Sequence, residues 1–295
     1  MSDGTIISAW FAGTRESAND VSIEYSRRTA SGWSEPCRLS RVIEQAHWNP
    51  VLFRATDNLI NLFYKIGLSP YDWQTWHTTS HDGKTWSTPK ELVPGDKNGR
   101  GPVKNKPIQL KNGTWLAPGS LEYDRTWEAF VDISEDNGQT WEMYKVPMDS
   151  SDFKAEKAQG VIQPSVWESK PCHVHMLLRS TEGFVFRSDS DDGGRTWSTT
   201  RPTTMPNNNS GLDVAMRKDG LLALVCNPVK GNWAVRTPLS LFLSENNGET
   251  WEKVVDFETE EGEFSYPSAI FSSSNKLLVT YTWKRKTIAF CTVEL

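Results

Sequence analysis

A tryptophan returns at positions 33, 86, 141, 197 and 251, at intervals of 53, 55, 56 and 54 residues, and each closes a similar short phrase. Ser134 to Trp141 reads SEDNGQTW, Ser190 to Trp197 reads SDDGGRTW, and Ser244 to Trp251 reads SENNGETW. Ser80 to Trp86 is one residue shorter, SHDGKTW, and Ser26 to Trp33, SRRTASGW, keeps only the serine, the glycine and the tryptophan. A period this steady marks a repeat architecture, in which each unit buries its apolar face against its neighbours. The phrase has the chemistry of a tight turn between strands. Asn and Gly accept positive φ at little steric cost, the short Ser, Asp and Thr side chains can bond local backbone, and the tryptophan anchors the hairpin.

The text between these turns is short alternating runs with polar breaks and no 3.6-residue period, which predicts strands throughout. Each unit reads as strand A, B, C, turn, D. The second unit predicts A at 47–54, B at 59–66 and C at 74–79, with D from Trp86. The later units predict 106–110, 114–122, 127–134 and 141–146; then 163–168, 173–180 and 184–190, with D from Trp197; then 211–217, 221–227, 239–244 and 251–257. A sixth, from Tyr266, has no turn phrase and no D strand, and the first has B, C and D but no A, so a segment is expected to be missing before Met1.

The pattern S-x-D-x-G-x-T-W resembles the Asp-box of the sialidase-like BNR-repeat β-propellers, and segments such as HWNP, GPVKNKP, IQPS and FSYPS resemble the predicted-neuraminidase branch of that family. The expected fold is therefore all-β, a six-bladed sialidase-like β-propeller over residues 1–295 as one domain, its first blade lacking the innermost strand.

Composition narrows the partners. The net charge is −5 with acids and bases intermixed, so neither nucleic acid nor an anionic membrane is indicated. No apolar run approaches the roughly 20 residues of a membrane helix, and the N-terminus shows no signal peptide. The four cysteines lack metal-ligand spacing, and three lie in strand-like runs as small hydrophobes. A cytoplasmic protein with no metal and no cofactor is expected. His173 and His175 alternate onto one strand face, but no third ligand accompanies them.

Antiparallel units put the turn phrases on one face and the D–A and B–C loops on the other, around a central mouth where ligand sites belong. That mouth collects His47, Asn49, Lys106, Glu122, Trp127, Gln163, Arg179, Arg236, Glu263 and Tyr266. Arginine forks and aromatic plates suit an anionic sugar. The resemblance assigns further roles. Arg179 and Arg236 match two arginines of the carboxylate-binding triad, Tyr266 the nucleophilic tyrosine, and Asp20 (or Glu16) the acid/base aspartate. Asn49, Lys106, Glu122, Trp127 and Gln163 are expected to contact substrate. No Arg-Ile-Pro strand supplies a first arginine, and Gln163 stands where a glutamate should assist the tyrosine, a part Glu263 or Glu122 could take. The resemblance implies hydrolysis of a terminal carboxylated sugar, sialic acid or similar, from an acidic glycan. Two alternatives stay open: a lyase acting on a uronic-acid linkage, with His47 or Tyr266 as base, and a glycan-binding propeller without turnover.

Overall fold

The computed structural model describes residues 1, 3–97, 99–154 and 158–295. Among them every regular element is a strand, apart from one 3-10 turn at Ser150–Asp152; no helix is long and apolar enough to cross a membrane. The first antiparallel set contains β1 (Ile6–Ala12), β2 (Ser22–Thr29), β3 (Gly32–Trp33) and β4 (Cys37–Arg38). The second is β5 (His47–Arg54), β6 (Ile60–Ile66), β7 (Gln74–Ser80) and β8 (Lys90–Glu91), and the third β9 (Ile108–Gln109), β10 (Trp115–Glu122), β11 (Thr126–Ser134) and β12 (Glu142–Lys145). The fourth is β13 (Gln159–Lys170), β14 (His173–Ser180), β15 (Phe184–Ser190) and β16 (Arg201–Pro206). The fifth is β17 (Asp213–Met216), β18 (Leu222–Cys226), β19 (Leu239–Ser244) and β20 (Glu252–Glu258), and the last β21 (Phe264–Phe271), β22 (Leu277–Trp283) and β23 (Thr287–Val293).

Each set is an antiparallel meander, except that β3 and β4 both pair with β2. A short parallel step, Thr126 to Gln159 and Trp127 to Gly160, joins the third set to the fourth. The units follow the expected order, with the first lacking an A strand and the last a D strand. Several boundaries differ from expectation, among them the D strand of the fourth unit, which begins at Arg201 rather than Trp197, and its A strand, which extends over Gln159–Lys170. The A strand of the third unit shrinks to two residues because Lys104 and Lys106 turn aside to bond other strands. The D strand of the second begins at Lys90, four residues after Trp86.

Burial explains which runs are apolar on both faces. A middle strand such as β6 is buried at every residue, because a neighbouring sheet covers each side, whereas the outer β20 exposes its first four. Core clusters fill the spaces between successive sheets: Ile23 with Leu62 and Tyr64, Phe53 with Trp115, Val131 with Met176, Leu177 with Leu224, and Val225 with Val279. Each such side chain contributes about 1.5–3 kcal/mol on burial. The last sheet meets the first through Phe290, which takes Trp33 edge-on at 5.3 Å and the Arg28 guanidinium at 5.3 Å. Of the cysteines only Cys226 is fully buried; Cys37 is exposed, and Cys172 and Cys291 are half-buried.

The repeated phrase folds as its chemistry requires. Asp136 accepts from the Gln139 and Thr140 amides at 3.0 and 2.9 Å and from the Thr140 hydroxyl at 2.6 Å. Ser134 Oγ takes the Gly138 amide at 2.8 Å, and Trp141 Nε1 closes on Gly138 O at 3.1 Å. Asp192 repeats the pattern. Where Asn246 replaces the aspartate, its amide nitrogen donates to Thr250 Oγ1 instead.

A second repetition lies at the other end of the A strands. Asn49, Lys104, Gln163, Asn209 and Tyr266, one from each unit after the first, all hold positive φ, at 44°, 66°, 54°, 57° and 53°. Around Asn49, Gln163 and Tyr266 the strand pairing slips by a bulge. A bulge re-aims a side chain that a regular strand would point into a neighbouring sheet.

Candidate active site

Tyr266 lies between two guanidinium groups. Arg179 Nη1 and Arg236 Nη2 each stand 3.5 Å from its hydroxyl oxygen, and the Arg236 guanidinium also covers its ring at 5.0 Å. Gly211 makes room for the ring: a Cβ there would come within 2.8 Å of Tyr266 Cδ1. Burial alone would raise the pKa of the phenol, but the charges of Arg179 and Arg236 outweigh it and hold the group below the ordinary tyrosine value.

Arg179 reaches this position from the buried end of β14. Nε donates to Asn209 Oδ1 at 2.9 Å, and Nη1 to Gln163 Oε1 at 3.2 Å. Its guanidinium rests against Trp127 at 5.5 Å and Trp233 at 5.8 Å, two rings that meet edge-on at 6.2 Å. Trp127 is fixed by the parallel step with Gly160, where any side chain would collide with its carbonyl oxygen at 2.0 Å. Among the described residues, Nη2 of Arg179 has no hydrogen-bond partner. Arg236, in the loop before β19, is oriented by Glu263 at 2.7 Å.

Two carboxyl groups complete the mouth. Burial raises the pKa of Glu122 at the end of β10, with Arg179 pulling it back. Glu16, in the β1–β2 loop, is exposed and paired with Arg285 at 3.3 Å, and its charge acts on both Tyr266 and Glu122.

Tyr266, Arg179, Arg236, Gln163, Glu122, Trp127 and Glu16 thus converge, while four other expected residues are engaged by partners other than the tyrosine hydroxyl. Asp20 is tied back to Thr14, accepting its amide at 2.9 Å and its hydroxyl at 3.0 Å, which holds its carboxyl below the usual value. His47 is buried at the start of β5, stacked on Tyr64 at 5.6 Å with Nδ1 2.8 Å from Gln45 O. Lys106 is taken up by Asp213 at 2.8 Å and Val214 O at 2.9 Å. Glu263 serves Arg236 rather than the tyrosine hydroxyl. Asn49 occupies the matching bulge of β5, half-buried. Sequence reasoning missed Trp233, an exposed aromatic at φ 57° in the long β18–β19 loop. A bulky residue at positive φ is uncommon, and this one meets Trp127 edge-on and lies under the Arg179 guanidinium. The available signal was the lone aromatic in Lys230-Gly231-Asn232-Trp233.

This architecture and this cluster of charged and aromatic groups at one end of the inner strands define an all-β repeat protein with a polar candidate site. A family model for the BNR repeat-like domain matches residues 4–279, and the chain belongs to that family. No curated protein matches. Solved structures share the fold at low identity. A protein of unknown function from Dyadobacter fermentans superposes with a TM-score of 0.78 at 18% identity, over 99% of this chain and 92% of the other. The NanB sialidase of Streptococcus pneumoniae gives 0.75 at 12%, over 100% and 67%. An intramolecular trans-sialidase from Ruminococcus gnavus, in complex with oseltamivir carboxylate, gives 0.73 at 11%, over 100% and 93%.

Proposed function

We propose that the chain is a six-bladed propeller, its first blade without an innermost strand, that hydrolyses a terminal carboxylated sugar from a glycan. The contacts of Phe290 with Trp33 and Arg28 support closure of the ring. The observation that carries the function is the placing of Tyr266 between Arg179 and Arg236. Two cations against one phenol favour the phenolate, and the same cations bind a carboxylate held beside it. Hydrolysis runs in two steps, with tyrosine as an exceptional nucleophile. Tyr266 Oη attacks the anomeric carbon while Glu16 gives a proton to the leaving oxygen; Glu16 then takes a proton from the water that breaks the glycosyl–tyrosine bond. Glu16 fits this part better than Asp20, whose carboxylate is already bonded to Thr14. Trp127 and Trp233 take the apolar side of the sugar, and Glu122 a hydroxyl.

One observation favours a second reading. Gln163 cannot accept the tyrosine's proton as a glutamate would, and a phenolate beside two arginines also suits removal of the proton next to a uronate carboxylate, followed by elimination. Mass spectrometry of products from mixed sialylated and uronate-capped glycans separates the two. A released acid carrying an added water, lost in Tyr266→Phe and Arg179→Ala, is the expected result. A product lighter by one water establishes the lyase. Arg179-dependent retention of a glycan without any product refutes both and leaves a binding module.

A further inference from the structure

On the opposite face, next to the Asn246 turn, lies a hydrogen-bonded row that the proposed reaction does not use. Trp167, His175 and Asp189 are cross-strand neighbours on β13, β14 and β15. His175 Nδ1 is 2.6 Å from Asp189 Oδ1, and His175 Nε2 is 2.8 Å from Ser169 Oγ. Ser169 lies within the bulge between Glu168 and Lys170 and is half-buried, and His175 beside it is 8% exposed.

The surroundings decide which nitrogen carries the proton. A carboxylate can only accept, so Nδ1–H donates to Asp189. The side chain of Asn247 is fixed the right way round because Trp167 Nε1 donates to its Oδ1 at 2.8 Å, which aims its NH2 at His175 Nε2 from 3.1 Å. Nε2 must therefore be an acceptor, and the Ser169 hydroxyl donates to it. Trp167 stacks on the imidazole at 5.3 Å and holds its plane. Arg187 and Arg201 bind Asp189 at 2.9 and 2.8 Å and keep it a carboxylate. A nucleophile, a base with an unprotonated nitrogen, here shared between Ser169 and Asn247, and an orienting acid are the three parts of serine catalysis, whatever their order in the chain.

We propose that Ser169, His175 and Asp189 form a second site that cleaves small carboxylic esters, independently of the arginine–tyrosine mouth. Ser169 Oγ bonds to the ester carbonyl carbon as its proton passes to His175 Nε2. The carbon–oxygen bond to the alcohol then breaks, and that alcohol leaves with the proton from Nε2. Water, deprotonated by the same nitrogen, releases the acid and restores the serine. The Lys111 ammonium, which stands 3.4 Å from Ser169 O, is the donor at hand for the tetrahedral oxyanion.

The test treats the full chain with a fluorophosphonate, which forms a phosphorus–oxygen bond to activated serines with loss of fluoride, and follows p-nitrophenyl acetate hydrolysis in parallel. A single adduct mapping to Ser169 is expected, absent from Ser169→Ala, and His175→Gln should slow its formation by roughly 10²-fold or more. Ester hydrolysis should fall by a similar factor in Ser169→Ala, which removes one hydroxyl from a half-buried residue and leaves the thermal midpoint in place. An unlabelled Ser169, or hydrolysis unchanged in Ser169→Ala, overturns the proposal. Should His175→Gln fail to fold, the Ser169 adduct and the Ser169→Ala rates decide alone.

Discussion

Replacing Asp213 by alanine tests whether the inner end of the molecule is held by one buried carboxylate. Asp213 is 1% exposed and accepts from Lys106 Nζ at 2.8 and 2.9 Å, from Ser165 Oγ at 2.7 Å and from the Ala269 amide at 2.8 Å. Those donors belong to the segment before β9, to β13 and to β21, so one side chain on β17 ties together four of the strand sets. Burial would raise its pKa, but Lys106 and Lys104 outweigh that and depress it. Removing one partner of a buried, hydrogen-bonded ion pair costs about 3–5 kcal/mol, because the remaining donors stay desolvated. With unfolding entropy near 2.1 cal/mol/K per residue, a loss of about 4 kcal/mol over this 295-residue chain lowers the melting midpoint by about 6 °C. Calorimetry on the wild type, Asp213→Ala, Lys106→Met and the double variant measures it, and the cycle should give a coupling of about 1–3 kcal/mol. A depressed carboxyl contributes stability above its unfolded pKa and loses it as pH falls through the folded one. The gap between wild type and Asp213→Ala should therefore narrow under acid. A shift below about 1 °C, or Lys106→Met raising KM for an acidic sugar at unchanged stability, would refute this reasoning and return Lys106 to the ligand.

Further outcomes follow from the mouth. Glu122 carries the opposite sign to Asp213: its raised folded pKa gives stability that is present below the unfolded value and lost as pH rises through the folded one. Glu122→Gln should gain in urea midpoint over wild type at pH 8 but not at pH 4, and a gap independent of pH would sink the assignment. Trp233 is 57% exposed with φ 57°. Trp233→Gly should relieve strain and stabilise by up to about 1 kcal/mol, yet raise KM by roughly 2- to 10-fold through loss of an aromatic face; unchanged KM would make the tryptophan a mere surface residue.

How much of this was legible in the sequence divides along the chain's two periodicities. The turn phrase is local chemistry. Asp136 bonds residues three and four places on, and nothing distant competes, so spacing alone placed the C–D turns and the C strands that enter them. Arg179 and Tyr266 were legible for the same reason, since each ends or opens a strand whose register the repeat fixes. Lys106 and His47 were not. Both sit at A-strand starts, as the pattern requires, but their direction depends on partners more than 100 residues away in one case and on a stacked ring in the other. For Asp20 the sequence could not show the bonds to Thr14, because a loop carboxylate looks alike whether or not it also closes its own turn.

The bulges explain why chemistry gathers at that end of the inner strands. A regular A strand would alternate its side chains into the two adjoining sheets and present little but backbone to the mouth. Positive φ at Asn49, Lys104, Gln163, Asn209 and Tyr266 breaks that alternation once per unit, at the same place. In three of the five the next residue is proline, Pro50, Pro164 or Pro267, which has no amide hydrogen to leave unpaired where the ladder opens. The outcome differs by side chain. Gln163 and Asn209 turn onto Arg179, Lys104 fills the gap by donating to Leu212 O and Pro267 O, and Tyr266 is left facing two arginines. One backbone device repeated through the units thus yields groups that hold Arg179 at some sites and a tyrosine between two arginines at another, so exchanging the side chain at a single bulge should change this cluster without disturbing the turns that hold the fold.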